Sequence, residues 1–137
     1  MNLARNLVRS AALALMLAAG GGLVPAHAQK LDANGIGRTE VVRHSYDHKH
    51  EAIQVKVDFG PGVKFPKHSH PGVELAYVLS GEFEYELDGK VVRLKAGESL
   101  YIPAGAVHSA KNVGTEVASE LATYIVEKGK PVLTLDK

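Results

Sequence analysis

From Gln29 onward no segment keeps a helical repeat. Instead, apolar and polar residues alternate in short runs, each closed by glycine or proline. Ile53-Gln54-Val55-Lys56-Val57-Asp58-Phe59 alternates over seven residues and stops at Gly60-Pro61-Gly62. Glu82-Phe83-Glu84-Tyr85-Glu86-Leu87-Asp88 repeats the pattern and ends at Asp88-Gly89, a two-residue hairpin signal, with Val91-Val92-Arg93-Leu94 directly after it. Leu100-Tyr101-Ile102 precedes the turn Pro103-Ala104-Gly105, and Leu121 to Val126 forms a last strong strand before Gly129-Lys130-Pro131. Regular short strands with such punctuation predict an all-β sandwich or closed barrel. Its core is expected in Val55, Val57, Phe83, Tyr85, Leu87, Val92 and Ile102. Residues 29–40 and the last few residues are expected to be loose or to wrap the outside.

The first 28 residues follow a different logic. Arg5 and Arg9 give a positive start, Ala11 to Ala19 is an unbroken apolar run, Gly20-Gly21-Gly22 breaks it, and Ala26-His27-Ala28 offers small residues at the two positions read for cleavage. That order predicts a secretory signal peptide over 1–28 cleaved after Ala28, a periplasmic or secreted protein, and one domain over 29–137. The alternative is a short N-terminal membrane anchor. No apolar run reaches the ~18–20 residues of a membrane span, so no stable anchor is expected after cleavage. Arg5 and Arg9 are not adjacent, so a twin-arginine signal is unsupported. With a formal charge of +1 and no basic segment, the chain is not expected to bind nucleic acid. It has no cysteine, which excludes disulfides, thiolate metal sites and a cysteine nucleophile.

Catalysis must therefore rest on histidine, carboxylates, hydroxyls or a metal held by nitrogen and oxygen. His68-Ser69-His70 places two imidazoles on one face of a strand. Glu74 follows the Pro71-Gly72 turn, and His108 follows the Pro103/Gly105 turn. Three imidazoles and one carboxylate suit one divalent Fe, Mn, Ni or Zn ion, with coordination positions left for water or substrate. One carboxylate against a divalent charge leaves the site near +1, which favours a small anionic ligand.

Gly62, His68, His70, Glu74 and Gly81 stand at the spacing glycine, five residues, HxH, three residues, glutamate, six residues, glycine. Gly97, Pro103, Gly105, His108 and Asn112 stand at glycine, five, PxG, two, histidine, three, asparagine. These two segments, 62–81 and 97–112, resemble the paired motifs of the cupin superfamily, in its small single-domain bacterial form. The resemblance implies a double-stranded β-helix, or jelly-roll β-barrel, with one metal in its mouth. It implies His68, His70, Glu74 and His108 as ligands, Gly81, Gly97 and Gly105 as turn positions, and Asn112 as a structural residue.

Fold does not select the reaction. The first expectation is a metal-dependent, dioxygenase-like oxidoreductase acting on a small organic anion, with Glu74 also serving as general base. The alternatives are a non-redox lyase or isomerase and a binding module without turnover. A lyase would need a proton carrier beside the metal, for which Lys64 and Tyr101 are the candidates. No pair of arginines makes an anion clamp; Arg93 is the closest candidate and is expected on an outer strand. A second cluster, His44, Asp47, His48 and His50, repeats the HxH spacing but has Gln54 where a carboxylate would be needed, and reads as a solvated strand start. Leu75-Ala76-Tyr77-Val78-Leu79 is apolar on both faces, so Leu75, Tyr77 and Leu79 need cover, which predicts a homodimer.

Overall fold

The computed structural model describes residues 30–136, so the expected signal peptide lies outside the described residues. Ten strands follow in order: β1 (Ile36–Ser45), β2 (His50–Phe59), β3 (Lys64–Ser69), β4 (Val73–Ser80), β5 (Glu82–Leu87), β6 (Lys90–Lys95), β7 (Ser99–Ile102), β8 (His108–Asn112), β9 (Ala118–Glu127) and β10 (Thr134–Leu135). Among the described residues there is no helix. The strands form two five-stranded antiparallel sheets, ordered β1-β2-β9-β4-β7 and β10-β3-β8-β5-β6.

Alternation decides which side chains meet between the sheets. On β4, Glu74, Ala76 and Val78 are buried while Leu75, Tyr77 and Leu79 are exposed. On β9, Glu120, Ala122, Tyr124 and Val126 share the inner face. Phe59 from one sheet meets Phe83 from the other edge to face, ring centroids 5.0 Å apart. Of the expected core, Val57, Phe83, Tyr85 and Ile102 are buried, and Val55 and Leu87 pack against it partly buried. Val92 is only half-buried, because β6 is an edge strand with little above it.

The Asp88-Gly89 hairpin forms as expected between β5 and β6, with φ of 48° and 75° at its two central residues. Positive φ at both positions matches the right-handed twist of the flanking strands. Gly81, Gly97 and Gly105 also take positive φ, in keeping with turn positions.

The expectation for residues 29–40 needs correction. Asp32 Oδ1 accepts the amides of Asn34 (2.8 Å) and Ile36 (3.0 Å), and β1 then pairs along the length of β2. The ladder is made by backbone groups, and the polar run Arg38-Thr39-Glu40 on an edge strand hides it from periodicity. The C-terminal residues do wrap: β10 pairs with β3 through Thr134–Ser69 and Leu135–His68.

Candidate metal centre

His68 is the last residue but one of β3 and stands opposite His108 of β8 in the ladder. Glu74 is the second residue of β4, opposite Tyr124 of β9. His70 lies between them, and the chain then turns at Pro71-Gly72 hard against β9. A Cβ at Gly72 would fall 1.9 Å from the Ile125 carbonyl oxygen, so only glycine permits the approach that returns Glu74 to His70. The second motif is tied to the first by the Gly105 amide, which donates to the His70 carbonyl at 2.9 Å. All four side chains are buried, and one nitrogen or oxygen from each lies within 4.8 Å of the others.

Each imidazole is oriented by a backbone carbonyl. Nδ1 of His68 meets Pro66 O at 2.8 Å, Nδ1 of His70 meets Val132 O at 2.6 Å, and Nδ1 of His108 meets Ala106 O at 3.0 Å. A carbonyl only accepts, so all three Nδ1 atoms carry a proton, and each ring in its neutral form presents its lone pair at Nε2. Glu74 Oε2 lies 2.9 Å from His70 Nε2 and 3.2 Å from His108 Nε2. Despite these separations, His70 Nε2 and Glu74 Oε2 are buried with no aligned hydrogen-bond partner. Orphaned buried polar atoms each cost about 1–3 kcal/mol, and lone pairs converging on one point are what a divalent cation requires. The donor set fits: His68, His70, Glu74 and His108 form a buried group able to hold a metal ion.

The electrostatics separate the groups: His68 favours its neutral form, whereas His108 and Glu74 favour their charged ones. Burial, reinforced by the charge on His108, pushes His68 down to about 4, so it stays neutral. Burial alone would raise Glu74, but the close approach of the His108 and His70 rings outweighs it and holds the carboxylate at about 2. His108 is opposed by burial yet raised by its contact with Glu74. Behind this set, Tyr85 donates its hydroxyl to Glu120. Burial and the charge on Glu74 push Glu120 up to about 8, and burial raises Tyr85 and Tyr124.

A chamber of about 20 Å³, room for roughly one water molecule, touches His68, Glu74, His108, Glu120, Tyr124 and Arg38. Two outer clefts of about 510 and 200 Å³ adjoin it, and Arg38 and Leu133 line all three.

These positions correct the expectation for Lys64 and Tyr101 as proton carriers. Lys64 is exposed and faces Glu86 at 3.8 Å, and Tyr101 is exposed on the outer side of β7, so neither stands beside the ligand set. Arg93 is spent on Glu84 at 3.0 Å, on the outside as expected. Tyr77 points outward, as its alternation with Glu74 requires. His50 pairs with exposed Asp47 at 2.8 Å and stacks on Tyr46; among the described residues, His44, Asp47, His48 and His50 bring no set of ligand atoms together. Asn112 is fully buried and ties the end of β2 to the β8–β9 turn, bonding Phe59 O and Gly60 O at 3.0 Å and Glu116 O at 2.7 Å. Arg38, Glu120 and Tyr124 were not foreseen. The signal for the last two was a glutamate four residues before a tyrosine in an apolar strand, which puts both on one face.

Residues 55–124 match the family of the cupin domain. The chain is a cupin. It is 31% identical over 80 residues to the oxalate-binding protein of Thermotoga maritima, covering 58% of this chain and 66% of that one. It is 36% identical over 80 residues to oxalate oxidase GF-2.8 of Triticum aestivum, covering 50% of this chain and 35% of that one. This cupin spans less than two thirds of the length of the first curated relatives it matches. Among solved structures, a conserved protein with a double-stranded β-helix domain from Klebsiella pneumoniae superposes with a TM-score of 0.65 at 26% identity, over 80% of this cupin and 90% of that chain.

Proposed function

We propose that this cupin is an exported, metal-dependent oxidoreductase of the dioxygenase-like kind, acting on a small organic anion. The observation that carries the metal part is the locking of all three Nδ1 atoms onto carbonyls, which leaves three Nε2 lone pairs and Glu74 Oε2 converging. His68, His70, Glu74 and His108 would hold the ion. When bound there, a divalent ion supplies Lewis acidity and, as Fe or Mn, electron transfer for an organic anion.

The chain's own residues do the rest. Apolar Val57, Phe59 and Phe65 wall the chamber and exclude bulk water. Glu74, ionised at neutral pH, is ligand and also the group that takes a proton once it separates from the imidazoles. Glu120, pushed to about 8, keeps its proton at neutral pH, with the Tyr85 hydroxyl fixing one of its oxygens. Similarity to proteins named for oxalate oxidation and oxalate binding supports a short carboxylate as the anion. Export rests on the signal-like order of residues 1–28. A homodimer rests on the exposed apolar row of Leu75, Tyr77 and Leu79.

A second reading, capture of the anion without turnover, is favoured by the small chamber and by the relative named for binding alone. Oxygen uptake by Fe(II)- or Mn(II)-loaded protein with oxalate separates the two. Uptake that is lost in Glu74→Gln supports the oxidoreductase. Tight oxalate binding with no uptake supports capture, and anaerobic turnover with Zn(II) would show a non-redox lyase or isomerase.

A further inference from the structure

Three arginines lie among the described residues, and two are neutralised. Arg43 pairs with Glu40 and Glu51, each at 2.8 Å, and Arg93 pairs with Glu84 at 3.0 Å. Arg38 makes no ion pair among the described residues. Its guanidinium carbon sits 4.5 Å from the centre of the Phe65 ring, and that ring packs edge-on against His68, centroids 4.8 Å apart. Glu120, the nearby carboxylate, turns one oxygen to Tyr85 instead. Arg38 thus stands at the junction of the inner chamber with both outer clefts, its charge unspent.

We propose that Arg38 is the specificity-determining residue of this site. Its guanidinium receives the second carboxylate of a short dicarboxylate whose first carboxylate enters the chamber beside His68, Glu74 and His108. This rests on the proposed function and names its substrate class more narrowly. A chamber of about 20 Å³ cannot enclose an organic acid, so the molecule must extend into a cleft, and Arg38 borders either route. A planar guanidinium offers two parallel N–H donors to a carboxylate, a geometry lysine lacks. The Phe65 face stabilises the cation and restricts its plane without consuming those donors.

Calorimetric titration of Mn(II)-loaded protein with oxalate, malonate and acetate provides the test, run on wild type, Arg38→Gln and Arg38→Lys. The wild type should bind both dicarboxylates more tightly than acetate. Arg38→Gln should weaken the dicarboxylates by about ten- to a hundredfold, the worth of a charge-assisted bidentate pair, while acetate changes less than about twofold and bound Mn(II) is unchanged. Arg38→Lys should recover only part of the loss. Undiminished dicarboxylate binding by Arg38→Gln overturns the inference and leaves the proposed function standing. A wild type that binds oxalate and malonate no better than acetate also overturns it. A wild type that takes up no Mn(II) overturns the proposed function, and this inference with it.

Discussion

His70 Nδ1 donates to the carbonyl oxygen of Val132 at 2.6 Å, so a ligand of the first histidine pair is aimed by the C-terminal strap, not, as His68 and His108 are, by the carbonyl two residues before it. The same strap continues into β10, where Leu135 pairs with His68, and the Asp136 amide bonds Lys67 O at 2.9 Å. Partners that fix ring orientation and tautomer are worth roughly ten- to a hundredfold in metal affinity.

Deleting residues 131–137 should therefore weaken metal binding by about that factor. A competition titration with a chromophoric chelator reads it directly. Circular dichroism of the truncated chain should still show the β-rich fold, because the fully buried core residues described end at Val126 and the deletion removes from the core's edge the partly buried Val132.

The Glu120 environment gives a pH dependence with a definite sign. Its folded value, about 8, lies above the ordinary 4.5, so its stabilising contribution is complete below about 4.5 and is lost as pH rises through 8. His108, also raised, loses its contribution above 6.5 in the same direction. His68 works oppositely: held down at about 4, it costs stability as pH falls below 6.5. Chelated protein should thus lose stability between about pH 6.5 and 8. Glu120→Gln should flatten that slope, leaving the part due to His108. Urea unfolding across this range, with and without the substitution, checks it.

Asn112→Ala removes the amide that bonds Phe59 O, Gly60 O and Glu116 O and leaves buried carbonyls without it. A loss of about 2–4 kcal/mol is expected. Chemical denaturation measures it, and the folded fraction should keep its metal, since Asn112 touches none of the four ligands.

The proposed homodimer has its own test. Leu75 lies beside Tyr101 across the β4–β7 ladder, and both are about half exposed, at 46% and 57%. Tyr77→Asp, on the same face, should shift sedimentation at micromolar concentration from dimer to monomer without changing metal content. A wild-type monomer at that concentration refutes the assembly.

The strands and the ligand set were legible because their signals are local. Alternation in 53–59 and 82–88, the Asp88-Gly89 turn, and the spacings of His68, His70, Glu74 and His108 lie within short windows. What was not legible depends on contacts between distant segments. Arg38 reaches the chamber because β1 pairs with β2, and a polar edge strand carries no hydrophobic period. The Val132 carbonyl meets a histidine 62 residues away through the backbone, which no side-chain pattern encodes. Glu120 is one of 15 acidic residues, and it is the pairing of β9 that turns it inward. The outward turn of Lys64 and Tyr101 follows from alternation against ladder partners that the sequence does not name.

The most direct measurement is elemental analysis of wild type and His108→Ala, each paired with melting curves before and after chelation. Wild type should carry one divalent ion per chain, and His108→Ala should carry less than about a tenth of that. Chelation should lower the wild-type melting temperature, since a ligand at a hundredfold excess over its dissociation constant stabilises by about 2.7 kcal/mol. It should leave His108→Ala unmoved. A metal-free wild type, or His108→Ala destabilised equally in all conditions, would contradict the metal centre and return these histidines to the role of packed core residues.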